Sequence, residues 1–129
     1  LLYLLPAPEG NALNVLPVPA LDREVVRVLG KTRRYMEDHL ADPLTIPALS
    51  RMAMLSATTF KDAFRRLYGL PVHAWLRQRR MERAAELLRD SSLSVLGVAQ
   101  SVGYGSASQF TAAFRRQYGM TPAKYRKDV

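Results

Sequence analysis

A chain of 129 residues can form one compact domain or two very small ones, because a lone core of fewer than about 40–60 residues is marginally stable. Its 19 Lys and Arg residues outnumber the 11 Asp and Glu residues, and the net charge of +8 indicates a polyanionic partner, with nucleic acid favoured over an anionic membrane surface. The sequence has no cysteine, which excludes disulfides, thiolate zinc sites and cysteine nucleophiles.

Residues 1–20 differ in composition from the rest of the chain. They hold four of the eight prolines and a single charge, Glu9. The opening Leu-Leu-Tyr-Leu-Leu is cut off by Pro6 and Pro8, far short of the roughly 20 apolar residues that a membrane span needs. We therefore interpret residues 1–20 as a linker or the tail of a preceding domain, with neither a membrane segment nor a signal peptide.

The first half of the remaining chain shows helical periodicity from Asp22 onwards. A first helix is expected to end at Asp42-Pro43, because the residue before a proline avoids the α conformation. Its apolar stripe consists of Val25, Leu29, Thr32, Met36 and Leu40. Thr45 and Ser56 are N-cap residues of two further helices, and Gly69 ends the second of them.

The second half continues in the same way. A long helix is predicted from Pro71 to about Asp90, followed by a short helix capped by Ser94. After the turn Gly103-Tyr104-Gly105, Ser106 caps another helix that Gly119 ends, and Thr121-Pro122 opens a last one. Because no alternating strand pattern is present, the predicted fold class is all-α, with about seven helices.

One phrase occurs twice. SATTFKDAFRRLYG begins at Ser56 and SASQFTAAFRRQYG begins at Ser106, and nine of the fourteen positions are identical. A shift of fifty also pairs residues outside the phrase: Ile46 with Leu96, Leu49 with Ala99, Met52 with Val102, and Trp75 with Tyr125. Each copy is a short helix, a tight turn and a second helix, which is the helix-turn-helix unit, and two such units can address successive DNA grooves.

The sequence resembles the DNA-binding domain of the AraC/XylS family of bacterial transcription regulators. The resemblance covers about residues 25–127, and its most specific part is RMERAAELLRDSSLSVLGVAQSVGYGSASQFTAAFRRQYGMTPAKYR, residues 80–126. The resemblance implies two homeodomain-like helix-turn-helix units, about 21–70 and 91–129, joined by a linker helix at about 71–90. Residues 1–20 would then be the tail of a missing sensor domain.

The resemblance also implies which residues read DNA. On the first recognition helix the base-reading positions are Thr58, Lys61 and Asp62, with Arg65 nearer the backbone. Lys can reach guanine and a Thr methyl can touch thymine. Asp62 has three readings: cytosine discrimination, an internal pair with Lys61 or Arg66, or an ordinary surface acid.

The second recognition helix turns small side chains outward. Its candidate base-reading residues are Ala107, Ser108, Thr111 and Ala112, which favour methyl contacts and DNA shape over direct hydrogen bonding. Candidate backbone contacts are Arg65 and Arg115, together with the capping residues Thr45, Ser56, Ser94 and Ser106, whose alternative role is capping alone. The expected structural core contains Phe60, Phe64, Trp75, Phe110, Phe114 and Tyr125. By resemblance, Arg80 supports the fold.

The leading functional hypothesis is sequence-specific binding of double-stranded promoter DNA by a transcription regulator in the bacterial cytoplasm, associated with the nucleoid. By resemblance, RNA polymerase is a second partner, and an effector would bind the missing N-terminal domain. The alternative is a helical protein-interaction module with non-specific DNA affinity. We expect no enzyme, cofactor or metal, because the sequence shows no paired carboxylates, Ser/His/Asp arrangement or phosphate loop, and His39 and His73 are isolated.

Overall fold

The computed structural model describes residues 21–129, which form seven α-helices without any strand. The helices are α1 Arg23–Asp38, α2 Ile46–Met52, α3 Ala57–Tyr68, α4 Val72–Asp90, α5 Val95–Ser101, α6 Ala107–Tyr118 and α7 Pro122–Asp128. This confirms the predicted all-α fold of two helix-turn-helix units joined by a long helix. The interpretation of residues 1–20 as a linker or tail lies outside the described residues. No helix within residues 21–129 combines the length and the apolar character that crossing a membrane requires.

Side-chain caps start most of these helices at the predicted residues. The hydroxyls of Thr45, Ser56, Ser94 and Ser106 each accept a hydrogen bond from a main-chain N–H in the first turn. One helix end was wrongly predicted: α1 ends at Asp38, four residues before Asp42-Pro43. His39 ends it instead, with its Nδ1 2.8 Å from the main-chain oxygen of Tyr35.

Two separate hydrophobic cores are built around α4. The first half of α4 contributes Val72 and Leu76 to an N-terminal core with α1, α2 and α3. The second half contributes Met81 and Leu88, among others, to a C-terminal core with α5 and α6. We call the helices around these cores the N-terminal unit and the C-terminal unit. The helix α4 therefore ends one unit and begins the other, which fixes their relative position.

The aromatic residues of the two cores are arranged almost identically. Phe60 and Phe64 are fully buried with ring centroids 5.9 Å apart, and Phe110 and Phe114 repeat both features at the same distance. The partly buried Trp75 meets Phe64 edge-on at 5.6 Å, as Tyr125 meets Phe114 at 5.4 Å. The duplication seen in the sequence is thus a duplication of packing.

The repeat has a different register in its first helices than a shift of fifty predicts. Met52 is 45% exposed whereas Val102 is fully buried, so these two residues are not equivalent. A shift of 49 pairs buried residues with buried ones: Leu49 with Val98, Ser50 with Ala99, and Ala53 with Val102. The N-caps Thr45 and Ser94 follow the same shift. The turn before α6 is therefore one residue longer than the turn before α3.

The two units meet at a hydrogen-bonded junction. The half-buried Arg80 of α4 donates from Nε to the main-chain oxygen of Leu40 and from a terminal nitrogen to that of Asp42, both at 2.9 Å. Burial lowers the pKa of Arg80, although a guanidinium remains protonated at neutral pH. Within the C-terminal unit, Arg126 of α7 likewise donates to main-chain oxygens at the end of α4, those of Leu88 and Ser91.

Candidate nucleic-acid interface

The outer face of α3 gathers the residues expected to read bases. Thr58, Lys61 and Arg65 are exposed, because the opposite face of the helix is buried in the N-terminal core. Together with Asp62 they line a hollow of about 310 Å³, whose far wall is the first turn of α4 around His73. The hollow is therefore walled by a recognition helix and by the beginning of the helix that follows it.

The outer face of α6 forms a wider hollow with a different chemistry. Its volume is about 750 Å³, and its lining contains all four predicted base-reading residues of this helix: Ala107, Ser108, Thr111 and Ala112. Arg115 and Arg116 close its far end. The floor therefore presents methyl and hydroxyl groups, and the positive charge stands at one edge. This surface can anchor a phosphate at that edge while it meets the base edges with small groups.

Asp62 is paired within its own helix. One of its carboxylate oxygens lies 3.7 Å from a terminal nitrogen of Arg66, one turn further along α3. The same oxygen is shielded from solvent and accepts no hydrogen bond among the described residues. Of the two internal pairs that the sequence allowed, the structure shows the one with Arg66 rather than Lys61.

The positive charges of the molecule divide into paired and unpaired groups. Within residues 21–129, five arginines of α1 and α4 pair with acids, at 27, 33, 79, 83 and 89, whereas four others on these helices, at 23, 34, 77 and 80, are in no ion pair. Within residues 21–129, Lys61, Arg65 and Arg115 take part in no ion pair. No acidic residue occurs in the sequence between Asp90 and Asp128. The recognition helices therefore carry uncompensated positive charge at their surface.

The capping hydroxyls are occupied by the helices that they begin. Ser56 accepts from the N–H of Thr59 at 3.1 Å, and Ser106 accepts from that of Gln109 at 3.2 Å. A phosphate at either position would be bound by the remaining first-turn N–H groups and by the positive end of the helix dipole. Capping and phosphate binding therefore do not compete for the same atoms.

Two further residues belong to this surface and were not singled out from the sequence. His73, read there only as an isolated histidine, is exposed in the hollow that holds Lys61 and Arg65. Arg116, the neighbour of the predicted backbone contact Arg115, is exposed and also lines a polar cleft with Arg77. The sequence offered one signal for His73, namely its position two residues after Pro71, which precedes the first residue of α4.

A family model of a helix-turn-helix domain matches residues 49–128, which is more than half of the chain. The structure can be superposed on the DNA-binding domain of AdpA, solved in complex with a target DNA, with a TM-score of 0.75 and 34% identity, over 78% of this chain and 90% of that one. This chain is the DNA-binding domain of an AraC/XylS-family transcription regulator. The C-terminal domain of the response regulator AraT from Geobacillus stearothermophilus is also similar, with a TM-score of 0.76 and 26% identity, over 85% of this chain and 88% of that one.

The AraC/XylS relatives are longer proteins. The chain is 32% identical over 121 residues to the HTH-type transcriptional regulator ExsA of Pseudomonas aeruginosa, which covers 94% of this chain and 42% of ExsA. It is 34% identical over 121 residues to the transcriptional activator RclR of Escherichia coli, covering 94% of this chain and 40% of RclR. The chain thus spans less than half the length of these relatives. As a family, AraC/XylS regulators bind DNA and are not an enzyme class.

Proposed function

We propose that this AraC/XylS domain binds double-stranded promoter DNA sequence-specifically, with α3 and α6 in successive major grooves. The observation that carries the proposal is the positive charge on the outer faces of these two helices, where Lys61, Arg65 and Arg115 take part in no ion pair within residues 21–129. The spacing supports it: α4 has 19 residues. A helix of that length spans about 28 Å, comparable to the roughly 34 Å between successive grooves on one face of DNA.

The two recognition helices would divide the work. In the proposed complex Lys61 donates to guanine and Thr58 packs against a thymine methyl, because both are exposed on α3 and line its hollow. Asp62 pairs with Arg66 and partly neutralises the positive charge of this helix face. In the proposed complex its carboxylate accepts a hydrogen bond from a cytosine amino group. Arg65 lies at the backbone, and His73 contributes a further phosphate contact from the start of α4.

The surface of α6 supports a more sequence-tolerant role. Ala107, Ser108, Thr111 and Ala112 offer two hydroxyls and no amide or charged group, so direct hydrogen bonding to bases is sparse. We assign methyl contacts and shape readout to these residues, and phosphate anchoring to Arg115 and Arg116. Ser56 and Ser106, with Thr45 and Ser94 at the first helices of each unit, would place helix N-termini against the backbone.

The remaining parts of the proposal rest on the family. RNA polymerase would be the second partner of the domain, and relatives such as RclR carry the name of transcriptional activators. An effector would act through a domain that precedes this one, since the relatives are more than twice as long. The domain would work in the bacterial cytoplasm on nucleoid DNA and would have no catalytic activity of its own.

The experiment that tests this function is the selection of bound sites from a library of random DNA duplexes. We expect enrichment of a site with two conserved blocks, centred about 10–10.5 base pairs apart. The block that α3 reads should be better conserved than the block under α6. Recovery of unenriched sequences would favour the alternative, a helical interaction module with non-specific DNA affinity, and a single block would contradict the use of both helices.

A further inference from the structure

A polar cleft of about 730 Å³ lies between α4 and α6. Its lining consists of Arg77 and Gln78 from α4 with Ala113, Arg116 and Gln117 from α6. The two arginines and the two glutamines are exposed, whereas Ala113 is buried. Each exposed side chain of the lining therefore carries hydrogen-bond donors, and none of them is acidic.

The positive charge of this cleft is uncompensated. Arg77 and Arg116 take part in no ion pair within residues 21–129. The first acid of α4, Glu82, is already engaged, because it accepts from Arg79 at 2.7 Å and from Gln78 at 3.2 Å. No acid occurs in α6. Two like charges that line one cleft repel each other, so an anion bound between them would stabilise both.

The cleft connects the two surfaces that are expected to read bases. Arg116 lines both the cleft and the hollow of α6. On the other side, His73 of the α3 hollow precedes Arg77 by four residues, so the two side chains are neighbours on one face of α4. An imidazole and two guanidinium groups therefore lead from the hollow of α3, across the linker helix, to the hollow of α6.

The geometry of B-DNA determines what lies along this path when both recognition helices are bound. Two major-groove sites one helical turn apart, on one face of the duplex, are separated by a minor groove about 6 Å wide that two sugar-phosphate strands border. The linker helix α4 spans the same interval with its 19 residues. The cleft beside α4 would then face the backbone of the DNA between the two sites.

We propose that this cleft binds a sugar-phosphate strand at the border of the minor groove between the two recognition blocks. The inference rests on the proposed function, in which α3 and α6 occupy successive major grooves. Arg77 holds the strand from α4 and Arg116 holds it from α6, with the amides of Gln78 and Gln117 as further donors to phosphate oxygens.

The shape of the site favours a phosphate strand over the base edges of the minor groove. A cleft receives a strand that projects from the duplex, whereas reading the minor groove requires a side chain that projects into it. Phosphate contacts fix the position and the register of a protein on DNA. A strand held between α4 and α6 would therefore set the register of both recognition helices at once.

Neutral methylphosphonate linkages in the selected site test the contact one phosphate at a time. Each duplex carries a single linkage, which is moved across the spacer and both blocks. With the parent protein, one or two linkages beside the central minor groove should weaken binding about tenfold, as expected for the loss of a charge-assisted hydrogen bond. In Arg77→Gln the same linkages should have less than about a twofold effect, because the contact that they remove is already absent.

The matched control is Arg34→Gln. Arg34 is also exposed and in no ion pair within residues 21–129, but it belongs to α1 and lines neither the cleft nor the two hollows. This variant should keep the full sensitivity to the spacer linkages. Arg77→Lys should keep most of it, since the positive charge remains. Melting temperatures should match that of the parent, because both arginines are exposed.

Equal sensitivity of Arg77→Gln and Arg34→Gln to the spacer linkages would overturn the proposal. A preference for A·T pairs in the spacer that Arg77→Gln abolishes, without any effect of the linkages, would also overturn it and place the arginine in the minor groove. A selected site with two blocks but no coupling to Arg77 would reject the cleft contact alone. Failure to select any site would reject the proposed function and the cleft contact together.

Discussion

Gly103 lies so close to the main-chain oxygen of Leu40 that a β-carbon at residue 103 would stand only 2.7 Å from it. Gly103 lies between α5 and α6, whereas Leu40 follows α1, so this contact joins the two helix-turn-helix units directly. Arg80 donates to the same oxygen from the linker helix α4. One carbonyl thus brings together an element from each unit and the helix between them.

Gly103→Ala should destabilise the domain by about 3 kcal/mol, the sum of a left-handed backbone penalty and of overpacking at the junction. Gly119→Ala is the matched control, because Gly119 has a φ of 76° but a β-carbon there would meet no atom within 4 Å. That control should lose only about 1 kcal/mol. Urea unfolding measures both, and equal losses would contradict a steric role for the junction.

Arg80→Met should cost about 2 kcal/mol of unfolding free energy, because the carbonyls of Leu40 and Asp42 lose a charged donor. Lysine should rescue the loss only in part, since one ammonium cannot reproduce the fork of a guanidinium. Arg83→Met removes an exposed pair with Glu86 and should change stability by less than about 0.5 kcal/mol. Chemical unfolding of the three variants checks the order, and an Arg80 variant as stable as the Arg83 variant would contradict the assignment.

Helix identity was predictable because each helix carries its own local signals. The N-caps Thr45, Ser56, Ser94 and Ser106 accept the expected first-turn hydrogen bonds. The register of α2 against α5 was not predictable, because seven residues hold too few apolar positions to distinguish a shift of 49 from one of fifty. The identical residues of α3 and α6 are related by a shift of fifty. That shift does not hold for the short helices α2 and α5. Only the burial of side chains distinguishes a shift of 49 from a shift of fifty, above all because Val102 is buried whereas Met52 is exposed.

The candidate interface was predictable only as a set of helix faces. Periodicity places Lys61 and Thr111 outward, but it does not show which charges find a partner. Whether Asp62 pairs with Lys61 or Arg66 depends on side-chain geometry along one helix turn. The position of His73 depends on how α4 leaves α3. These are tertiary relationships that no local pattern contains.

Phe114→Ala should destabilise the C-terminal unit by about 3–5 kcal/mol, because the ring is fully buried and contacts Phe110, Tyr118 and Tyr125. Leu96→Ala provides the control on the same unit, since its side chain is 45% exposed. The control should lose less than about 1 kcal/mol. Thermal unfolding measures both, and an unchanged melting temperature for Phe114→Ala would contradict the burial of this helix face.

Lys61→Ala should weaken binding to the selected site by about 1–3 kcal/mol and relax the preference at one base pair. The reason is that Lys61 is exposed on α3 and has no ion-pair partner among the described residues. Arg83→Ala removes the same charge from α4, where it is paired with Glu86, and should leave the sequence preference unchanged. Fluorescence anisotropy with single-base variants of the site measures the effect. A uniform loss on all sequences would assign Lys61 to a phosphate instead.

The salt dependence of binding reports how many phosphates the domain neutralises. If about five basic groups contact phosphates, log K should fall with log salt with a slope of about −4 to −5. Arg115→Ala should reduce that slope by about 1, because Arg115 is unpaired at the edge of the α6 hollow. Arg83→Ala should leave it unchanged, since a guanidinium already neutralised by Glu86 releases few counterions from DNA. Titrations between about 50 and 200 mM salt decide the matter, and equal slopes for both variants would remove Arg115 from the backbone contacts and shift the anchoring role to Arg116.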